Sequence, residues 1–431
     1  MRILNINTYD SGGAAISCIR QHISLLDQGI ESHLLTLYSS GRTIPNHLKY
    51  GDLINRPYEH RSLIKRLKNR LRLKLNQSAI REQVRLRENI YQLQDIASKS
   101  IDLFSLISSD CRIEEIPNIE DYDIINLHWT AQFIHWGSFF SSSKVKKIVW
   151  TLHDMNPFTG GYHYASGYEG YNEDDVNPPF LKGSFNHNFA AEQLATKKEI
   201  LSKSKIEIKV VSPSKWLMEC SKKSTLFRDF EHALIPYSLD TSIFKPLEKG
   251  FCRDVLNLPK DKKIILFVSQ NLANQRKGFD VLLESFSLFD KSDDILLCCI
   301  GAINDVLLNS LNIFSLGFVE DERIMALAYN AADLFVLPSK EDNLPNVVLE
   351  SLCCGTPVVG FRIGGMPDMV EDGFNGMLCN TIGSSELSHT IQIAMNNIDN
   401  FNRNDISIRA KKKYSCKNQA NSYLKLYKSF K

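Results

Sequence analysis

The chain has 431 residues, 43% of them apolar and 23% charged. This ordinary globular balance excludes a disordered protein, and at about 150 residues per domain it predicts two or three domains with cores of their own. A net charge of +2 excludes a general nucleic-acid binder.

Taken in chain order, Arg2–Asn7 alternates apolar and polar residues as a strand does, and no signal-peptide core follows. Further strands are predicted at His33–Leu37, Asp123–Leu127, Lys147–Leu152 and Ile208–Ser212. Helical patterns run through Ala14–Gln28, Phe189–Lys203 and Ser214–Lys223. A second series of strands is predicted at Lys263–Val268, Ile295–Ile300, Ile313–Leu316, Leu334–Leu337 and Val358–Phe361. Its helices are Phe279–Phe289 and Asp321–Asn330. Such alternation predicts an α/β protein: two Rossmann-like, doubly wound domains with parallel sheets, facing across a cleft. The linker is placed near Ile235–Asp240. The expected division is 1–238, 239–415, and a last helix, 416–431, that crosses back to the first domain. Tyr423, Leu424, Tyr427 and Phe430 give that helix its apolar spacing.

Residues 40–118 interrupt the alternation and offer no convincing strand. From Arg61 to Arg81 there are eight Lys or Arg and no acid, with Leu63, Leu67, Leu71 and Leu75 recurring every four residues. This pattern fits a solvated helix packed on its own domain, or a helix lying on anionic lipid headgroups. Nucleic acid is disfavoured, because no aromatics are interleaved for base stacking. The longest near-continuous apolar run, Ile295–Ile303, is about half of what a membrane span needs. Ten cysteines form no C-x-x-C pair. Cys298-Cys299 and Cys353-Cys354 sit in apolar runs, so the expectation is core thiols in a reducing cytoplasm, without structural zinc or disulfides.

Four places carry chemistry. Ser11-Gly12-Gly13-Ala14 follows the first strand and opens a helix. It is either a tight structural turn or a loop that brings backbone amides to an anion. His128-Trp129 and His153-Asp154 each end a strand, where histidines are either structural or face the cleft. Arg276-Lys277-Gly278 follows the first strand of the second half. It is a surface pair, or a cation pair for a diphosphate leaving group. The most specific segment is Pro338-Ser339-Lys340-Glu341-Asp342-Asn343-Leu344-Pro345-Asn346, ending at Glu350 and followed by Gly355-Thr356-Pro357. Pro345 is expected in the first turn of a helix and Gly355 at its close. Gly364-Gly365-Met366-Pro367 predicts a second glycine turn into a helix, with Pro367 at its first position.

Residues 317–378 resemble the C-terminal domain of retaining family 4 glycosyltransferases, which have the two-domain GT-B fold. Residues 149–164, Val-Trp-Thr-Leu-His-Asp-Met-Asn-Pro-Phe-Thr-Gly-Gly-Tyr-His-Tyr, resemble a subgroup similar to colanic-acid and exopolysaccharide transferases. The resemblance implies transfer of a sugar from a nucleotide-diphosphate sugar, with anomeric configuration retained. It implies a glycan acceptor, expected to be lipid-linked, in bacterial surface polysaccharide biosynthesis. It also implies roles. Lys277 contacts the diphosphate, Glu350 the ribose hydroxyls, Asp342 the donor sugar and His128 that sugar's hydroxyls. Gly12 and Gly13 lie near the phosphates and acceptor, Gly364 and Gly365 beside the donor, and the amides of Leu344 and Asn346 against sugar or phosphate. His153 and Asp154 fall on the acceptor side.

The sequence departs from the family pattern in three respects. The subgroup's cysteines after Gly160-Gly161 are absent, since Tyr162 and the loop that follows contain none, so no metal is expected in that loop. Asp342 replaces a glutamate, with Glu341 beside it as a substitute. Ser269-Gln270 stands where Gly-Arg is usual, leaving Arg276 to supply the second phosphate cation. No carboxylate is placed as a covalent nucleophile, so the expected route is front-face, with no metal and no cofactor beyond the donor substrate. The expected location is the cytoplasm, with a peripheral contact at the inner face of the plasma membrane. A nucleotide-sugar epimerase on the same fold and a non-catalytic sugar-nucleotide-binding subunit are the alternatives.

Overall fold

The computed structural model describes residues 1–54, 103–175, 178–179, 188–289, 294–302 and 313–430. The basic sequence 61–81 lies outside them.

Each half builds one wholly parallel sheet. In the first, β1 (Arg2–Tyr9), β2 (Glu31–Tyr38), β3 (His47–Lys49), β4 (Ile124–Leu127), β5 (Lys147–Thr151), β6 (Glu207–Ser212) and β7 (Glu231–Leu234) take the order β3-β2-β1-β4-β5-β6-β7. In the second, β8 (Lys263–Asn271), β9 (Ile295–Ala302), β10 (Ile313–Ser315), β11 (Leu334–Leu337), β12 (Val358–Phe361) and β13 (Gly376–Cys379) take the order β10-β9-β8-β11-β12-β13. Strand order reverses between β1 and β4 and again between β8 and β11. In open α/β sheets the crevice at the carboxyl ends of such strands is where ligands bind.

All ten predicted strands are present, but three more were not anticipated. One of them, β3, lies in the stretch that showed no convincing strand. It is three residues long and pairs only with β2, Leu34 opposite His47 and Thr36 opposite Lys49. An edge strand this short has no room for a hydrophobic period. The β7 sequence Glu-His-Ala-Leu is exposed at both ends and lacks the apolar run that marks a buried parallel strand, while β13, Gly-Met-Leu-Cys, has only three apolar residues behind its glycine.

The helices that shape the cleft are α1 (Gly13–Asp27), α2 (Phe189–Lys203), α3 (Lys215–Lys223), α4 (Phe279–Ser287), α5 (Glu322–Ala331) and α6 (Asn346–Cys353). Pro345 is not inside α6 but is its N-cap, in extended conformation. Pro367 takes the second position of a single four-residue turn, Met366–Met369, rather than the first position of a longer helix. The last helix, α7 (Cys416–Tyr427), lies on the first sheet. Its Tyr423, Leu426 and Tyr427 join Ile3, Leu25, Ile124 and Val149 in one buried cluster. The buried hydroxyls there are satisfied: Tyr423 Oη is 3.0 Å from Thr151 Oγ1, and Tyr427 Oη accepts from Gln21 and Asn126. Polar partners at depth fix the helix register, because an unpaired hydroxyl there costs about 1–3 kcal/mol.

Candidate active site

The carboxyl ends of the two sheets enclose a cleft of about 540 Å³. The β1 turn supplies one wall. Gly12 has φ +89°, a conformation side chains rarely adopt, and α1 begins at the next residue. A Cβ on Gly12 would stand 4.0 Å from Gln270 Oε1, and one on Gly13 3.9 Å from Asn346 Nδ2. Both glycines therefore look across the cleft at the second half. Asn346 Nδ2 donates to the Gly13 carbonyl at 3.0 Å. Leu344 and Asn346 line the cleft where α6 starts, and the first amides of a helix have no intrahelical acceptor.

The opposite wall is a charged cluster. Lys277 Nζ lies 2.6 Å from Asp342 Oδ2, and Arg276 Nη1 lies 3.7 Å from the same oxygen. Burial raises the Asp342 carboxyl, but the two cations and the hydrogen bonds of Lys277 and Ser339 outweigh it and leave the group below its usual range. Arg276 also donates to the Glu341 carbonyl at 2.7 Å and stacks 4.0 Å over the Tyr164 ring. The Glu341 carboxylate turns away from Asp342's position. It accepts from the amides of Ala165 and Ser166 at 3.2 and 2.8 Å, so it clasps a loop of the first half instead of substituting for Asp342.

Glu350 lies deeper, one turn into α6. Its Oε1 accepts from Arg20 Nη2 at 2.9 Å and its Oε2 from the Tyr329 hydroxyl at 3.0 Å. Burial keeps its carboxyl above the usual range despite Arg20. Arg20 also holds Glu322 at 2.8 Å. Arg20, Glu322 and Tyr329 were not anticipated from the sequence. A signal existed for Arg20: Gly13, Ser17 and Arg20 share one face of α1 by i, i+4, i+7 spacing.

On the first half, Asp154 lines the cleft and accepts from Trp129 Nε1 at 2.7 Å and from the Asn156 amide at 2.9 Å, with His163 Nδ1 at 2.6 Å. Burial raises its carboxyl; His163 and these hydrogen bonds bring it below the usual range. His153 also lines the cleft. Its Nδ1 is 2.8 Å from the Tyr237 hydroxyl and its Nε2 is 3.0 Å from His128 Nδ1.

Ten of the thirteen expected residues thus surround one space: Gly12, Gly13, His153, Asp154, Arg276, Lys277, Asp342, Leu344, Asn346 and Glu350. Three do not. His128 is buried one layer behind His153, against a small cavity of about 20 Å³. Gly364 and Gly365 sit under the Asp342 loop. A Cβ on Gly364 would fall 1.8 Å from the Asp342 carbonyl and one on Gly365 1.7 Å from the Asn343 carbonyl. These two glycines seat the loop by backbone contact, and the helix they lead into is only four residues long. Among the described residues, no group of three His, Cys, Asp or Glu is placed to hold a metal, and no helix is long and apolar enough to cross a membrane.

Residues 249–413 match the family described as Glycosyl transferases group 1. A D-inositol 3-phosphate glycosyltransferase of Streptosporangium roseum is 33% identical over 158 residues, 32% of this chain and 36% of that protein. An uncharacterized 41.2 kDa protein in the cps region of Klebsiella pneumoniae is 27% identical over 180 residues, 40% of this chain and 48% of that one. The chain thus spans about a third to a half of the length of these curated relatives. Over its whole length it superposes on Anabaena HepE, solved in complex with UDP-glucose, with TM-score 0.62 at 14% identity and full coverage of both chains. Residues 249–413 are therefore similar to glycosyl transferases of group 1, and the chain has the two-sheet GT-B fold.

Proposed function

We propose that the protein is a retaining glycosyltransferase that moves a sugar from a nucleotide-diphosphate sugar to a glycan hydroxyl, in the assembly of a bacterial surface polysaccharide. The observation that carries this reading is the pairing of Lys277 and Arg276 with Asp342 in the cleft that the Gly12-Gly13 turn and the start of α6 also line. Donor phosphate oxygens compete with Asp342 for these cations. As the bond from anomeric carbon to phosphate oxygen breaks, negative charge grows on the phosphate, and Lys277, Arg276 and the α6 amides stabilise it. Asp342 is freed toward the donor sugar, and Glu350 accepts from the ribose hydroxyls. The acceptor hydroxyl enters on the face the diphosphate leaves, and the departing phosphate takes its proton. Asp342 and Glu350 are each held by a cation or a hydroxyl, which favours this route over a covalent intermediate.

The cps-region relative supports the polysaccharide setting, and the HepE likeness supports a nucleotide-sugar donor. The chain is read as an acceptor-binding unit to residue 238, a donor-binding unit to 415 and a returning helix. The basic sequence 61–81 supports a peripheral contact with anionic membrane on the cytoplasmic side. The test is nucleoside diphosphate release from UDP-, GDP- and ADP-sugars, with and without a lipid-diphosphate-linked glycan. Acceptor-dependent release with the anomeric configuration kept is the expected result. A new sugar nucleotide formed without acceptor makes the protein an epimerase, and donor binding without turnover makes it a binding subunit; either overturns the proposal.

A further inference from the structure

At the rim of the cleft the first sheet ends in a row of aromatic rings that none of the roles above uses. Tyr9 closes β1 and Tyr38 closes β2; the two are register partners on adjacent strands. Their rings stack at 5.2 Å with 22° between planes, and Trp129, just past β4, continues the row 5.8 Å from Tyr9. Tyr9 is 36% and Tyr38 53% exposed. Both rings thus keep a third to a half of their surface in solvent, and a patch of exposed aromatics at the edge of a site marks a binding surface. Trp129 itself lines the cleft, so the row begins inside the site and runs outward along the first half.

A polar rim borders the rings. Asp10, fully buried, accepts from Ser39 Oγ at 2.8 Å and from the Ser40 amide at 2.7 Å. This pins the loop after β2. Arg42, two residues on, is exposed and lines the cleft. Asp10 is consumed by the loop's own donors, and Asp154, the acid on Trp129, by Trp129, His163 and the Asn156 amide, so the rim offers Arg42 and the tyrosine hydroxyls to an incoming ligand.

We propose that Tyr9, Tyr38 and Trp129, with Arg42, form an acceptor subsite that takes a pyranose ring of a glycan. The proposal rests on the transferase reading above and adds to it the residues that hold the acceptor and the way they hold it, by ring stacking. A pyranose has one face of axial C–H groups and a girdle of hydroxyls. The C–H face lies on the aromatic plane, whose amphipathic side chains present an apolar ring and a polar tip. The hydroxyls meet Arg42 and the tyrosine Oη atoms. A hydrocarbon chain on the same rings would cover Arg42 and the serine loop without replacing their water, at a cost that the sugar's hydroxyls remove.

The test uses the full chain and saturation-transfer NMR with maltotriose, methyl glucoside, methyl galactoside and methyl mannoside, and with dodecyl phosphate as the lipid probe. Glycan ring protons are expected to saturate, and the Tyr9→Ala/Tyr38→Ala variant is expected to lose at least fivefold of that signal. Tyr9→Phe/Tyr38→Phe, which keeps the rings, is expected to retain most of it, and circular dichroism confirms that each variant folds. Where transfer is detected, the loss falls on the acceptor KM, by tenfold or more, rather than on the donor KM. Glycan saturation without transfer leaves the subsite standing and removes the transferase reading. Saturation of dodecyl phosphate alone, no saturation by any glycan, or full saturation in the alanine variant overturns the subsite.

Discussion

Arg20 and Glu350 are 330 positions apart in the chain, yet Arg20 Nη2 and Glu350 Oε1 meet at 2.9 Å, almost fully buried. Arg20 belongs to the helix that follows the glycine turn of the first sheet, and Glu350 to the helix that follows Asp342 in the second. Its guanidinium also lies 5.6 Å from the Phe244 ring. The carboxylate proposed to bind the ribose is therefore oriented by the other half of the molecule.

Replacing Arg20 by Met leaves Glu350 buried without its cation. Loss of one partner of a buried pair costs about 3–5 kcal/mol, and Glu350, already raised by burial, is pushed further toward its neutral form. Arg20→Met is expected to lower the midpoint of urea unfolding and to raise the donor KM at least tenfold. Arg20→Met/Glu350→Gln is expected to recover much of the stability but none of the donor use. Equal donor KM in the parent and both variants contradicts the positioning role.

Asp342 and Lys277 respond in opposite directions. Lys277→Ala removes a charge that stabilises the leaving diphosphate, and loss of one such contact typically costs about 10²–10³ in kcat. Asp342→Asn removes the anion that competes for Lys277 and Arg276. Nucleoside diphosphate then binds at least as tightly as in the parent, while turnover falls. Calorimetry with the diphosphate and steady-state rates with the donor separate the two effects. Weaker diphosphate binding in Asp342→Asn shows that the carboxylate is a ligand contact and not a competitor.

The sequence made the sheets legible because parallel strands are buried on both faces and appear as short apolar runs. It missed β3 and β7 because edge strands need no such run. The family resemblance brought Lys277, Asp342 and Glu350 to one cleft: the first two sit in loops after strands, and Glu350 lies one turn into the helix that follows. What it did not convey was the partner of each charge. Arg20 reaches Glu350 from the other half of the chain, and Glu341 turns to Ala165 and Ser166 although it adjoins Asp342 in sequence. The Gly364-Gly365 pair looked like a ligand loop. Its actual constraint is steric, because backbone carbonyls of residues 342 and 343 occupy the space a Cβ needs. Glycine that admits a ligand and glycine that admits another backbone look the same in a sequence.

The basic sequence 61–81 leads to a prediction that depends on charge alone. Cationic residues near an anionic surface contribute about 1 kcal/mol each, and the Debye length falls from about 10 Å at 0.1 M salt to about 3 Å at 1 M. The protein is expected to sediment with phosphatidylglycerol vesicles at low salt and to be released at high salt. Changing Lys65, Arg66, Lys68, Arg70 and Arg72 to Gln is expected to abolish sedimentation. Equal sedimentation of parent and Gln variant at low salt contradicts the membrane contact.

The histidine chain behind the cleft sets an acid limit on the fold. Burial lowers His153 to about 4, with Asp154 opposing, and lowers His128 well below its usual value, with His153 adding to the effect. An unfolded histidine titrates near 6.5. Above that value neither state binds the proton, and the stability that depends on neutral His153 is fully present. Between about 6.5 and about 4 the unfolded chain takes up protons that the folded chain refuses, so stability falls as pH falls. The slope is about 1.4 kcal/mol per pH unit for each histidine. His128 and His153 lie 3.0 Å apart, so a proton on one further opposes a proton on the other. Urea midpoints measured from about pH 7 down to about pH 4.5 are expected to drop steeply through this window. His153→Gln keeps a hydrogen-bonding side chain beside Tyr237 and His128 but cannot titrate. Its curve is expected to be shallower by about one histidine's share, whatever its stability at neutral pH. A parent and variant with parallel curves across the window contradict a neutral, buried His153.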